Sequence, residues 1–170
     1  MARRVAAAGI FAALALICSY VESFIPFHFG VPGIKLGLAN IVVVTALYFL
    51  PVPEVCFVTF LKIFISGLLF GNLMSLIYSF AGGILSLVVM MILKKTGRFS
   101  VFGVSAAGGV CHNVGQIAAA MLVTGVPVIA YYLPVLMGAG ILTGCLIGLV
   151  SGRILKILVT RGRFFCHPFR

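Results

Sequence analysis

Residues 73–98 read LMSLIYSFAGGILSLVVMMILKKTGR. From Leu73 to Leu93 the stretch carries no charge, and at about 1.5 Å per helical residue it reaches roughly 30 Å, the thickness of a bilayer's hydrocarbon. It then breaks into Lys94, Lys95 and Arg98, the basic flank that holds a membrane helix to the cytoplasmic face. In hydrocarbon no water remains to pair backbone N–H and C=O groups, so a lone spanning segment of this kind has to be a helix.

The same grammar extends in both directions. Apolar runs fall at about residues 5–25, 36–50, 54–71, 73–93, 100–124 and 128–158, with a basic tail at 159–170. They are separated by breakers: Pro26 and a Pro/Gly/Phe-rich stretch to Lys35, then Pro51 and Pro53, Gly71, the KKTGR connection, and Gly125. With 170 residues, 63% of them apolar and 8% charged, the chain has room for about six spans with short connections and for no second domain. The expected fold is therefore all-α, a single polytopic membrane bundle.

Charge placement supports the topology. The net charge of +10 comes from three basic groups: Arg3 and Arg4, then Lys94, Lys95 and Arg98, then Arg153 to Arg170. They punctuate apolar sequence instead of forming a patch, which argues for the positive-inside rule and against nucleic acid. An even number of spans puts both basic termini on the cytoplasmic side of the cell membrane. Lys35 is the one basic residue expected on the outer side, and the tail is expected to rest on anionic lipid head groups. The run at 5–25 is too long for a cleaved signal segment and reads as a retained first helix.

Polar side chains inside these runs are costly, about 2.5–3.5 kcal/mol for a lysine at a helix centre, so each calls for a partner. Lys62 falls near mid-depth. Only two carboxylates, Glu22 and Glu54, exist in the chain, and neither is placed to neutralise it simply. His112, Asn113 and Gln116 cluster on neighbouring faces of the fifth span at similar depth. One reading is a shared central pocket lined by Lys62, His112, Asn113 and Gln116, with Lys62 as a cationic contact for a polar or anionic ligand. The other is snorkelling of the lysine and ordinary interhelical hydrogen bonds. Asn40, Lys35 and Glu22 group toward the outer end beside the loop at 26–35, as the mouth of such a pocket or as interfacial anchors.

Small residues form two stripes. Gly140, Gly144, Gly148 and Gly152 recur every four residues in the sixth span, and Ala8 and Ala12 share a face of the first. Both are expected to admit close helix approach, within the bundle or to another subunit. What is missing excludes several chemistries. The chain has no Asp and two Glu, so it cannot build the aspartate-rich sites that hold magnesium and diphosphate in prenyl transfer. It has no GxxxxGK[ST] loop to bind ATP. Its five cysteines form no CxxC pair, which argues against a disulfide framework or a zinc site. No resident cofactor or metal is expected.

The strings KLGLAN (35–40), LKIFISGLLFG (61–71), SFAGG (79–83), GVSAAGGVCHNVGQ (103–116) and YLPVL (132–136) resemble the Gx transporter family, also labelled heptaprenyl diphosphate synthase component I. The resemblance implies a six-helix bundle like the substrate-binding S components of energy-coupling-factor transporters. Those bind a small molecule and are driven by a separate coupling transmembrane subunit with ATPases, which docks on a stripe that Ala8 and Ala12 match in spacing. The synthase label implies instead a membrane partner of a prenyl-elongating enzyme in quinone side-chain synthesis. Three functions are thus in view: a substrate-binding subunit for uptake of a small polar or anionic metabolite, a non-catalytic component of heptaprenyl diphosphate synthase or quinone-linked metabolism, and a structural assembly subunit.

Overall fold

The computed structural model describes residues 2–24 and 37–161. Six α-helices account for nearly all of them: α1 (Ala2–Ser23), α2 (Leu38–Phe49), α3 (Val52–Phe70), α4 (Leu73–Thr96), α5 (Val101–Thr124) and α6 (Leu133–Arg161). α1, α3, α4 and α5 are each long and apolar enough to cross a membrane, and so is the 127–160 segment that contains α6. The chain is therefore a multi-pass membrane protein. Lys35, the rest of the loop at 26–35 and the tail beyond Arg161 lie outside the described residues.

The helix ends follow local chemistry. Pro51 caps α3 and Pro53 sits in its first turn, where a missing N–H costs nothing. The Asn72 side chain accepts from the Ser75 N–H at 2.7 Å to start α4, and the Ser100 hydroxyl accepts from the Gly103 N–H at 3.3 Å to start α5. Gly97 and Gly125 close α4 and α5 in the left-handed region, at φ 66° and 68°.

Two elements depart from the apolar pattern. α2 has 12 residues, starting at Leu38 and not at residue 36; at about 1.5 Å per residue it is roughly 18 Å long, shorter than the hydrocarbon. The sixth run, expected as one helix over 128–158, opens instead with a 3-10 turn at Pro127–Tyr132 before α6 begins. Its rings stay outside, with Tyr131 84% exposed. Pro127 explains the offset, because it fixes the entry geometry of the segment and the chain bends before settling into α-helix at Leu133.

Each helix packs against the next around a closed circuit, α1–α3–α4–α5–α6–α2 and back to α1. α1 runs antiparallel to α2, with the Phe11 ring 5.8 Å from that of Phe49 toward one end and Glu22 bonded to Gly37 at the other, and its C-terminal end meets that of α3 where the Tyr20 and Phe70 rings lie 5.4 Å apart. One end of the circuit gathers Arg4, Lys94, Lys95, Arg98, Arg153 and Lys156; we call it the basic end. The apolar core lies toward it, built from Ala8, Ala12, Val44, Leu47, Val55, Val58, Met90 and Val104. There Lys94 donates to the Leu47 carbonyl at 2.6 Å, with its ammonium 5.2 Å from the Tyr48 ring centre.

Glycine decides the most extensive contacts, those of α5 with α4 and α6. On one flank, a Cβ at Gly115 would lie 2.8 Å from the Gly82 Cα, and one at Gly82 would lie 2.5 Å from the His112 carbonyl oxygen. On the other, Gly140 faces Gly109, Gly144 faces Ser105 and Ala106, and Gly148 faces Phe102. The fourth member of the α6 stripe differs, since nothing lies within 4 Å of a Cβ at Gly152. Close approach thus stops one turn short of the sequence pattern, because α5 begins at Val101 and leaves no helix opposite Gly152. The α1 stripe faces inward too. Ala8 and Ala12 are 5% and 4% exposed and pack into the core, the within-bundle packing that was one of the two expectations for this stripe.

Candidate functional site

Asn40, His112, Asn113 and Thr143 come together where α2, α5 and α6 meet. Gly37 ends an irregular entry at φ 76°, a left-handed conformation that glycine adopts without a steric penalty. Its N–H donates to Glu22 Oε1 of α1 at 2.5 Å. The carboxylate therefore fixes the point at which the chain enters α2. One turn on, Asn40 Oδ1 accepts from Lys62 Nζ of α3 at 2.9 Å. The ammonium at mid-depth has an amide oxygen as partner, a charge-assisted bond worth about 1.5–3 kcal/mol.

Beside Asn40 lies a cavity of about 30 Å³. α2 contributes Asn40, with Gly37 just ahead of it; α5 contributes Gly109, His112 and Asn113; α6 contributes Ala139, Thr143 and Ile147. At about 10–15 Å³ per water, two or three waters fill it. The walls exist because small residues let the backbones close in: Gly109 against Gly140 narrows the α5–α6 wall. Asn113 Nδ2 donates to the Leu136 carbonyl at 2.6 Å, a bond between helices that holds its ring of neighbours in register. Thr143 is turned along its own helix, donating to the Ala139 carbonyl at 2.9 Å.

The structure distributes the expected site residues unevenly. Asn40, His112 and Asn113 line one cavity, at similar depth to Lys62: counting along the axes, Lys62 and His112 lie about 15 and 17 Å from the basic ends of α3 and α5. Lys62 does not line it and joins it through Asn40. Gln116 is also off the wall; its side chain packs at Gly82 of α4, where a glycine Cβ would come 2.7 Å from its Cγ. Lys35 lies outside the described residues.

Sequence reasoning missed Thr143, Gly109 and Gly37. Thr143 was hidden because a helical threonine that returns its hydroxyl to the preceding turn looks like any other. The only signal for Gly37 is that a glycine, free to take a left-handed conformation, stands directly before an apolar helix. The four buried polar atoms without a partner among the described residues belong to Tyr48, Glu54, Thr59 and Ser105, all away from the cavity wall.

A comparison with known proteins returns no curated relative and no solved structure that matches. The family model described as heptaprenyl diphosphate synthase component I matches residues 11–154. That interval runs from the first turns of α1 to the basic end of α6 and includes every residue of the cavity wall. The chain belongs to the heptaprenyl diphosphate synthase component I family.

Proposed function

We propose that this chain is a non-catalytic membrane component of a heptaprenyl diphosphate synthase, seating a separate prenyl-elongating subunit at the bilayer. The observation that carries this reading is the separation of its only two carboxylates. Glu22 is spent on the Gly37 amide toward the end of α1, and Glu54 sits in the first turn of α3 at the opposite, basic end. Paired carboxylates are what magnesium diphosphate chemistry requires, and two carboxylates at opposite ends of a membrane helix bundle do not supply them. The elongating chemistry then belongs to the partner.

The basic end is the face that meets this partner, and both termini are cytoplasmic. Lys95, Arg98, Arg153 and Lys156 are exposed there, where their charges attract an acidic protein surface or acidic lipid. Co-expression with the catalytic subunit of the same synthase, followed by purification in detergent, tests the reading. The subunit is expected to co-purify, and Lys95→Gln, Arg98→Gln and Arg153→Gln together are expected to release it at lower salt. A catalytic subunit that stays soluble, with the same product chain length whether or not this chain is present, refutes it.

A second reading, a substrate-binding subunit driven by separate coupling subunits, is favoured by one observation: a polar cavity maintained at mid-depth in hydrocarbon. Such groups cost stability unless they serve packing or a ligand. Uptake of a labelled small molecule into vesicles that depends on Asn113 supports it over the first.

A further inference from the structure

The cavity between α2, α5 and α6 shows what kind of group it would hold, and this deepens the binding reading, on which it rests. Two amide side chains on its wall have their orientation fixed by partners outside it. An ammonium can only donate, so the Lys62 bond requires the oxygen of Asn40 and turns its NH₂ away from Lys62. That nitrogen lies beside Gly37, 3.3 Å from where a Cβ would stand there, and Gly37 is part of the cavity wall. A carbonyl can only accept, so the bond to Leu136 requires the nitrogen of Asn113 and leaves its oxygen unused. Neither the Asn40 nitrogen nor the Asn113 oxygen is sealed in the protein without a partner.

The titratable side chain on the wall is the His112 imidazole, which can donate or accept a hydrogen bond. Lys62 itself is off the wall. An anion has no hydrogen to give the Asn113 oxygen, so it can satisfy the Asn40 side of the wall but leaves the Asn113 side unmet.

We propose that the cavity binds an uncharged group that presents a hydrogen-bond acceptor toward Asn40 and a donor toward Asn113, such as a carboxamide, lactam or ureide, and that it does not bind anionic head groups. A space that takes two or three waters has room for the few heavy atoms of one such group. A ligand carrying it would be held by matched bonds, and an analogue lacking either side would leave a buried amide unpaired.

The chain has three asparagines, Asn40, Asn72 and Asn113, so protein labelled with ¹⁵N at asparagine side chains and placed in lipid nanodiscs gives a direct readout. The probes are acetamide, acetate and inorganic diphosphate. Acetamide is expected to shift the Asn40 and Asn113 amide signals saturably, with the helix-capping Asn72 as the unmoved reference. Acetate is expected to bind at least about tenfold more weakly, a difference of roughly 1.4 kcal/mol. Asn113→Leu keeps the approximate volume of the side chain but removes its acceptor oxygen, and is expected to abolish the acetamide response of the Asn40 signal while an unmoved Asn72 signal confirms the fold. If acetate or diphosphate moves the two signals at lower concentration than acetamide, the proposal falls while the binding reading stands. If no probe moves them, both fall.

Discussion

Replacing Gly144 by alanine separates the geometry of the bundle from its composition. A Cβ at this position would stand 2.7 Å from the Ser105 carbonyl oxygen and 2.8 Å from the Ala106 Cα. Both atoms are backbone of α5, so no side chain can turn aside. Carbon atoms pack best at about 3.5–4.0 Å, so the helices have to part by roughly 0.7 Å at the crossing. Such overpacking typically costs 1–3 kcal/mol, and here about 2 kcal/mol is expected because the contact is with backbone on a long interface. The displacement reaches the cavity, since Asn113 bonds to Leu136 across the same pair of helices.

The assay is reversible unfolding in mixed micelles, comparing Gly144→Ala with Gly152→Ala. The second substitution has nothing within 4 Å, and helix propensity alone predicts that alanine there stabilises by up to about 1 kcal/mol. Equal stability changes for the two variants would refute the close approach of α5 and α6. So would a Gly144→Ala protein in which the Asn113 side-chain signal keeps its native shift.

Other expectations follow from the polar contacts. Asn40→Leu leaves the Lys62 ammonium without its amide oxygen and is expected to cost about 2–3 kcal/mol, whereas the double variant Asn40→Leu with Lys62→Met removes both partners and recovers most of the loss; unfolding in the same micelles, read as a double-mutant cycle, decides this. Glu22→Gln keeps an acceptor for Gly37 but not its charge and is expected to lower stability by about 1 kcal/mol, with faster hydrogen exchange of the Gly37 amide as the local readout. Asn72→Ala removes the cap of α4 and is expected to cost about 1 kcal/mol, seen as fraying of the first turn by exchange at Ser75 and unchanged exchange in α6.

Much of the fold can be read from hydropathy and breakers alone. α4 was legible because an uncharged run of bilayer length ends in three basic residues; α3 was legible as an apolar run, but its prolines were read as breakers ahead of residue 54, whereas the helix starts at Val52 with Pro53 inside its first turn. α2 was placed but drawn too long, since the apolar composition of residues 36–50 gives no sign that the helix begins only after Gly37 turns left-handed. The 3-10 turn before α6 was invisible for the same reason: Pro127 to Tyr132 is as apolar as the helix it precedes.

The site was legible as a set of residues and not as a geometry. Mid-depth polar groups announce themselves by their cost, which is how Lys62, His112 and Asn113 could be picked out. Their pairing depends on the rotation of each helix, and helices apolar on every face do not encode rotation in a hydrophobic stripe. Sequence reasoning therefore sought a carboxylate for Lys62, while the fold supplies the oxygen of Asn40 from another helix. Glu22 was placed by sequence at a pocket mouth or as an interfacial anchor; its described partner is a backbone N–H that no residue type advertises. The α6 glycines were recognisable as a packing stripe, but only the start of α5 shows where that stripe loses its neighbour.

The glycines on both flanks of α5 have a consequence for how the family can change. A helix pressed backbone to backbone on two sides at Gly82–Gly115 and Gly109–Gly140 cannot accept larger residues on either side, so α4, α5 and α6 form a trio with little freedom to drift. α1 and α3 meet their neighbours mainly through side chains, which can be exchanged in compensating pairs. Divergence among members should accordingly gather in the first half of the chain, and a chimera that swaps α4 to α6 as one block should fold where a swap of α5 alone does not.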